Sequence, residues 1–121
     1  MSLFFNSQFL FISDPPIAII GSSNYQALVG NTITIGCTVT ANPIVQNVYW
    51  ERDINGIITT IGPSTNPNKY GGSTTVNPSL TINNVDFSDE GNYRCYATNI
   101  VGTGSSNQGF LDVSGREFKA F

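Results

Sequence analysis

Histidine is absent from all 121 residues. Without an imidazole, this chain alone builds neither a Ser-His-Asp nor a Cys-His nucleophile system. The common His-containing zinc sites are lost with it, and two cysteines fall short of the four thiolates an all-cysteine zinc site needs. Charge is scarce as well: 11% of residues are Asp, Glu, Lys or Arg, with a formal net of -3. That balance leaves no basic footprint for nucleic acid, and solubility falls to the many Ser, Thr, Asn and Gly. No apolar run reaches the length needed to cross a bilayer, so the chain is not expected to insert into a membrane. An Asn-x-Ser/Thr acceptor is missing too, because Pro78 disqualifies Asn77-Pro78-Ser79. No catalytic residue, cofactor or metal ligand is therefore expected.

What is present suits one domain. Hydrophobic residues make up 40% of the chain, enough for a single core at this length. Between the two ends the pattern is one of short strands with frequent turns and no helical period. "NTITIGCTVT" (31–40) alternates, with Ile33, Ile35, Cys37 and Val39 on one side and threonines on the other. "VQNVYWERD" (45–53) is followed by Asn55-Gly56, a strong two-residue hairpin signal, and then by "IITTI" (57–61). The Gly-, Pro- and Asn-rich residues 62–78 read as loop with at most a short edge strand. "SLTINNV" (79–85) alternates again, and "NYRCYATN" (92–99) and "QGFLDV" (108–113) supply two last strands joined by a turn-rich connection. Pro15 and Pro16 confine "IAII" (17–20) to a sheet edge. Seven or eight strands at this spacing imply an antiparallel sandwich. The ends differ from the middle. Residues 1–13 are apolar without a basic start or a small-residue cleavage site, and read as a degenerate signal peptide or translated non-coding sequence. Residues 115–121 read as a tail, which leaves 14–114 as the domain.

Six residues then fall at informative spacings. Cys37 and Cys95 occupy inward positions of two strands, 58 residues apart, and Trp50 follows Cys37 by 13. Tyr93 precedes Cys95 by two and Asp89 precedes it by six, with Gly91 between. This set resembles the immunoglobulin superfamily over about residues 15–113, and the "CYATNIVG" tail with Asn99 and Gly102 looks most like its I-set subtype. The resemblance implies an all-β, two-sheet Greek-key sandwich with a Cys37–Cys95 disulfide between the sheets. Closing a loop of about 59 residues would be worth roughly 4 kcal/mol on the chain-entropy model. Trp50 would pack on the bridge, and Tyr93 would return its hydroxyl to the backbone as a tyrosine corner. Gly91 would permit a tight approach there. Asp89 would pair with Lys69, a bond worth at most about 1 kcal/mol if partly exposed. Asp86, Asp89 and Glu90 on one turn match no EF-hand spacing, and the structural reading of that turn is preferred to a metal site.

A disulfide implies an oxidising compartment, outside the cell or at its surface; the intracellular muscle-type domains of this family, with free thiols, are the alternative. The phase that puts Val48, Trp50, Tyr93 and Cys95 inside puts Tyr49, Glu51, Arg94 and Tyr96 outside. With Phe110 these could form an exposed aromatic patch for a protein partner, against the plainer role of cross-strand pairing. The loops 40–46 and 99–106 offer a second surface, with Ile44, Val45, Ile100 and Val101 as a seat for a neighbouring domain. The expected partners are thus a protein ligand, a second copy or an adjacent domain of the same kind. A recognition or adhesion module of a larger multidomain protein, a spacer in an array, and a secreted single domain remain the three functional readings.

Overall fold

Alternating burial carries through nearly every strand, and from it the two layers follow. The computed structural model describes residues 13–115. Eleven strands appear in them: β1 (Asp14–Ile20), β2 (Asn24–Leu28), β3 (Ile33–Ile35), β4 (Cys37–Asn42), β5 (Asn47–Ile54), β6 (Ile57–Ile61), β7 (Tyr70–Gly72), β8 (Leu80–Ile82), β9 (Gly91–Thr98), β10 (Thr103–Ser105) and β11 (Gly109–Ser114). One layer runs β2-β11-β9-β5-β6, with β10 also on β9; the other is built from β1-β4 and β3-β8-β7. All pairs are antiparallel except β2 with β11.

The core between the layers takes Ile35 and Cys37 from one strand run, Leu80 and Ile82 from β8, Val48 and Trp50 from β5, and Tyr93, Cys95 and Ala97 from β9. Cys37 and Cys95 are bonded across it, Cα to Cα 6.4 Å. Trp50 lies directly opposite Cys95 in the β5–β9 register. It is fully buried and donates its indole N–H to the Pro78 carbonyl at 2.8 Å, leaving no orphaned polar atom on its ring.

Turn chemistry matches the sequence at Asn55-Gly56. Both residues take positive φ, 53° and 84°, as a type I′ turn demands, and Ile54 pairs with Ile57 across it. Three elements depart from the sequence expectation. The first strand begins at Asp14 and includes both prolines, accommodated by a register shift between Asp14 and Ile17 where Pro15 and Pro16 have no N–H to give. The connection 99–106 contains β10, a three-residue strand on β9. Strand β2 pairs parallel to β11, with Tyr25 and Ala27 half-buried against the core and the residues around them exposed. The leader 1–13 and tail 115–121, apart from Ser13 and Gly115, lie outside the described residues.

Candidate functional site

The turn that enters β9 is built from its own side chains. Asp86 caps a short 3-10 turn, Phe87–Asp89, by accepting from the Phe87 N–H at 2.7 Å. Asp89 returns the favour, its Oδ2 accepting from the Asp86 N–H at 2.8 Å. The same Oδ2 takes the Lys69 ammonium at 2.7 Å, while Oδ1 lies 3.6 Å from the Arg52 guanidinium. Asp89 itself is only 2% exposed, so this is not the screened surface pair anticipated for a partly exposed Lys69–Asp89 contact. Arg52 is the participant that sequence reading missed. Its position two residues after Trp50 puts it on the inward phase, and a charge there needs a partner. Tyr93 donates its hydroxyl to the Asp89 carbonyl at 2.5 Å, and a Cβ on Gly91 would come within 2.8 Å of Ile54 Cγ1. Glu90 faces away and accepts from the Val113 N–H at 2.9 Å, tying the turn to β11. The three carboxylates thus serve a cap, an ion cluster and a strand tie.

That cluster predicts a pH response. Burial, reinforced by Asp89 and opposed by Arg52, holds the Tyr93 phenol far above its ordinary value of 10.0, and burial raises Tyr70 beside it. A raised folded value stabilises the fold below the unfolded value and loses that contribution as pH climbs toward the folded one. Thermal melts should therefore be insensitive to these tyrosines below about pH 10 and fall above it. Phenolate absorbance from Tyr93 should appear only together with loss of ellipticity; phenolate appearing while the fold persists would contradict it.

On the solvent face of β5 and β9, Tyr49 and Tyr96 are register partners. Their rings stack at 4.9 Å between centroids, 4° from parallel. One step along, Glu51 lies opposite Arg94. Arg94 donates instead to the Ser106 carbonyl at 3.1 Å, which fixes the guanidinium over the β9–β10 junction. Burial, then the adjoining Glu51 carboxylate, pushes the Tyr96 phenol up. Phe110 does not join this pair. It is half-buried opposite Asn92 on one side and Asn24 on the other, four residues along β9 from Tyr96, or about 13 Å at strand rise. The β9 pairing changes register between β11 and β10, and strand parity alone does not reveal such a shift.

At the sandwich end where β1 enters, Asn99 is buried and all its amide capacity is used. Its Nδ2 donates to the Asp14 and Pro43 carbonyls at 2.8 and 3.0 Å, and its Oδ1 accepts from Val101 and Gly102 at 2.9 and 3.2 Å. This locks the 43–46 and 99–102 loops together and leaves Ile44 (81%), Ile100 (72%) and Val101 (43%) exposed beside them, while Val45 packs on the core. Asn107 acts similarly on β1: its amide accepts from the Ile20 N–H at 2.8 Å and donates to the Ile20 carbonyl at 3.1 Å, standing in for a strand.

Comparison with known proteins adds the following. The model of the immunoglobulin domain family matches residues 15–99. Mouse peroxidasin homolog is 35% identical over 86 residues, which is 71% of this chain and 5% of that protein. Human Roundabout homolog 1 is 29% identical over 95 residues, 78% of this chain and 6% of that protein. Among solved structures, the tandem Ig repeats of Dlar superpose with a TM-score of 0.67 at 29% identity, covering 86% of this chain and 51% of that one. The Ig1-2 module of the Drosophila receptor protein tyrosine phosphatase DLAR gives 0.65, covering 84% and 48%. The chain therefore spans about a twentieth of the curated relatives and about half of each tandem structure.

Proposed function

The chain belongs to the immunoglobulin domain family, and from that premise we propose that it is a protein-recognition module without catalytic activity, one domain of a larger multidomain adhesion or receptor protein outside the cell or at its surface. Its partner meets the solvent face of β5 and β9. The stacked Tyr49–Tyr96 pair carries this reading: two large, rigid side chains sit side by side with Glu51 and the tethered Arg94 next to them, and Tyr and Arg are the side chains that most often anchor interfaces. The buried Cys37–Cys95 bridge supports an oxidising compartment. In protein freshly isolated from its source, neither cysteine should react with a thiol reagent.

Flow cytometry with a tetramerised domain on cells of the source tissue tests the face. Tyr96→Ser should cut binding at least tenfold, about 1.4 kcal/mol or more. Losing the stack should cost the fold no more than about 1 kcal/mol, so the variant stays folded. Binding equal to the parent domain would remove this face from consideration. A second reading, a spacer within an array, is favoured by Ile44, Ile100 and Val101 at the end where the chain enters, where an adjacent domain would cover them. Absence of any binding by the parent domain would favour that reading.

A further inference from the structure

Asn55-Gly56 shapes the hairpin tip between β5 and β6, and the same pair has a reactivity that the turn does not need. It is the one Asn-Gly pair in the chain; every other asparagine precedes a residue with a side chain. The side-chain carbonyl carbon of an asparagine lies one five-membered ring away from the backbone nitrogen of the next residue. Glycine puts nothing in the way of that ring closure, and a Cβ placed on Gly56 would meet no atom within 4 Å. Both residues are exposed, so water reaches them. Asp53 touches the reacting nitrogen: its Oδ1 accepts from the Gly56 N–H at 2.9 Å. That nitrogen attacks only after losing its proton. A carboxylate against it holds the proton in place and repels the anion left behind.

We propose that Asn55 is a site of spontaneous covalent modification through a succinimide, and that the charge of Asp53 slows it. Hydroxide removes the Gly56 amide proton, and the nitrogen bonds to Asn55 Cγ. The bond from Cγ to the side-chain nitrogen breaks, and that nitrogen leaves as ammonia with a proton from water. Solvent water then opens the ring. Attack at Cγ gives aspartate, and attack at the main-chain carbonyl gives isoaspartate; nothing is oxidised or reduced. Either product carries a new carboxylate, so the chain becomes one unit more negative than its formal -3. Isoaspartate also routes the main chain through Cβ, adding one atom to a turn whose φ values of 53° and 84° suit two residues only. The Ile54–Ile57 pair that closes the hairpin is then out of register. Strand β5 carries Tyr49 and Glu51 as well, so the change falls on the hairpin that holds half of the proposed partner face.

Incubation of the intact folded chain in heavy-oxygen water at mildly alkaline pH, followed by digestion in ordinary water, tests this. Trypsin cuts after Arg52 and Lys69 and releases residues 53–69, which hold the site. Mass spectrometry should find one heavy oxygen in that peptide, at residue 55 on fragmentation, in an aspartyl and an isoaspartyl form that separate by chromatography. Asp53→Ala should speed labelling about fivefold, the effect of removing a unit charge felt at hydrogen-bonding distance through water. Asp53→Asn keeps an acceptor for the Gly56 N–H without the charge. It should recover most of that gain, and it serves if Asp53→Ala loosens the turn. Asp53→Asn as slow as the parent overturns the role of the charge. Label that enters residues 53–69 only when the chain is unfolded in urea, or that falls on Asn66 or Asn68 instead of residue 55, overturns the site.

Discussion

Cys37→Ala/Cys95→Ala is expected to lower the free energy of unfolding by about 4 kcal/mol. The bridge runs from β4 in one layer to β9 in the other, between residues 58 apart in sequence. Without it, the denatured chain regains the freedom of a long loop, while the folded sandwich keeps its other contacts. Both cysteines are buried, at 6% and 0% exposure, so alanine also leaves a sulfur-sized gap beside Trp50 and adds to the loss. Domains of this size have only about 5–15 kcal/mol in total; the variant should fold yet melt far below the parent. Urea titration reads both consequences, a lower midpoint and a steeper slope as the uncrosslinked denatured state exposes more surface. Reduced parent protein should show the same steeper slope with a smaller loss, because its sulfurs still fill the space that alanine empties. A loss under about 1.5 kcal/mol would mean that packing around Trp50, not the crosslink, holds the layers together.

The elements that were readable in the sequence are those governed by local rules. Period-2 alternation places Ile35, Cys37, Trp50, Tyr93 and Cys95 on inward positions, and all five are buried. Asn55-Gly56 specifies its own turn. What escaped depends on contacts distant along the chain. Strand β2 exists because β11, more than 80 residues later, runs beside it, and nothing within Asn24–Leu28 announces that pairing. Asn107 holds Ile20 across 87 residues, a role indistinguishable in sequence from an ordinary loop asparagine. Phe110 has the outward phase that parity assigns, but it lies opposite Asn92, four residues along β9 from Tyr96, and parity does not say how far along a partner strand a residue falls. The candidate face is therefore narrower than sequence suggested: two stacked tyrosines with Glu51 and Arg94. Arg52 is a different case. The parity that turns Trp50 inward turns Arg52 inward as well, so the signal for a charged partner was present in the sequence.

That partner is Asp89, and Asp89→Ala should cost about 3 kcal/mol. Its side chain is 3% exposed, accepts from the Lys69 ammonium and the Asp86 N–H, and forms an ion pair with the Arg52 guanidinium. Alanine would leave two cations facing each other and a backbone N–H without an acceptor, at the turn that aims Tyr93. Each cation keeps 21% of its side chain in solvent, which limits the loss to less than a fully enclosed pair would show. Asp89→Asn keeps the shape and one acceptor for the Asp86 N–H but not the charge, and should cost about half as much. Combining Asp89→Ala with Lys69→Met should be less damaging than the two single losses added together, because the methionine removes the charge that alanine strands. At roughly 4–8 °C per kcal/mol for a domain of this size, Asp89→Ala should lower the melting temperature by about 12–24 °C. A drop of only a few degrees would show that water screens the cluster as it would a surface pair, and that the Tyr93 hydroxyl alone secures the turn.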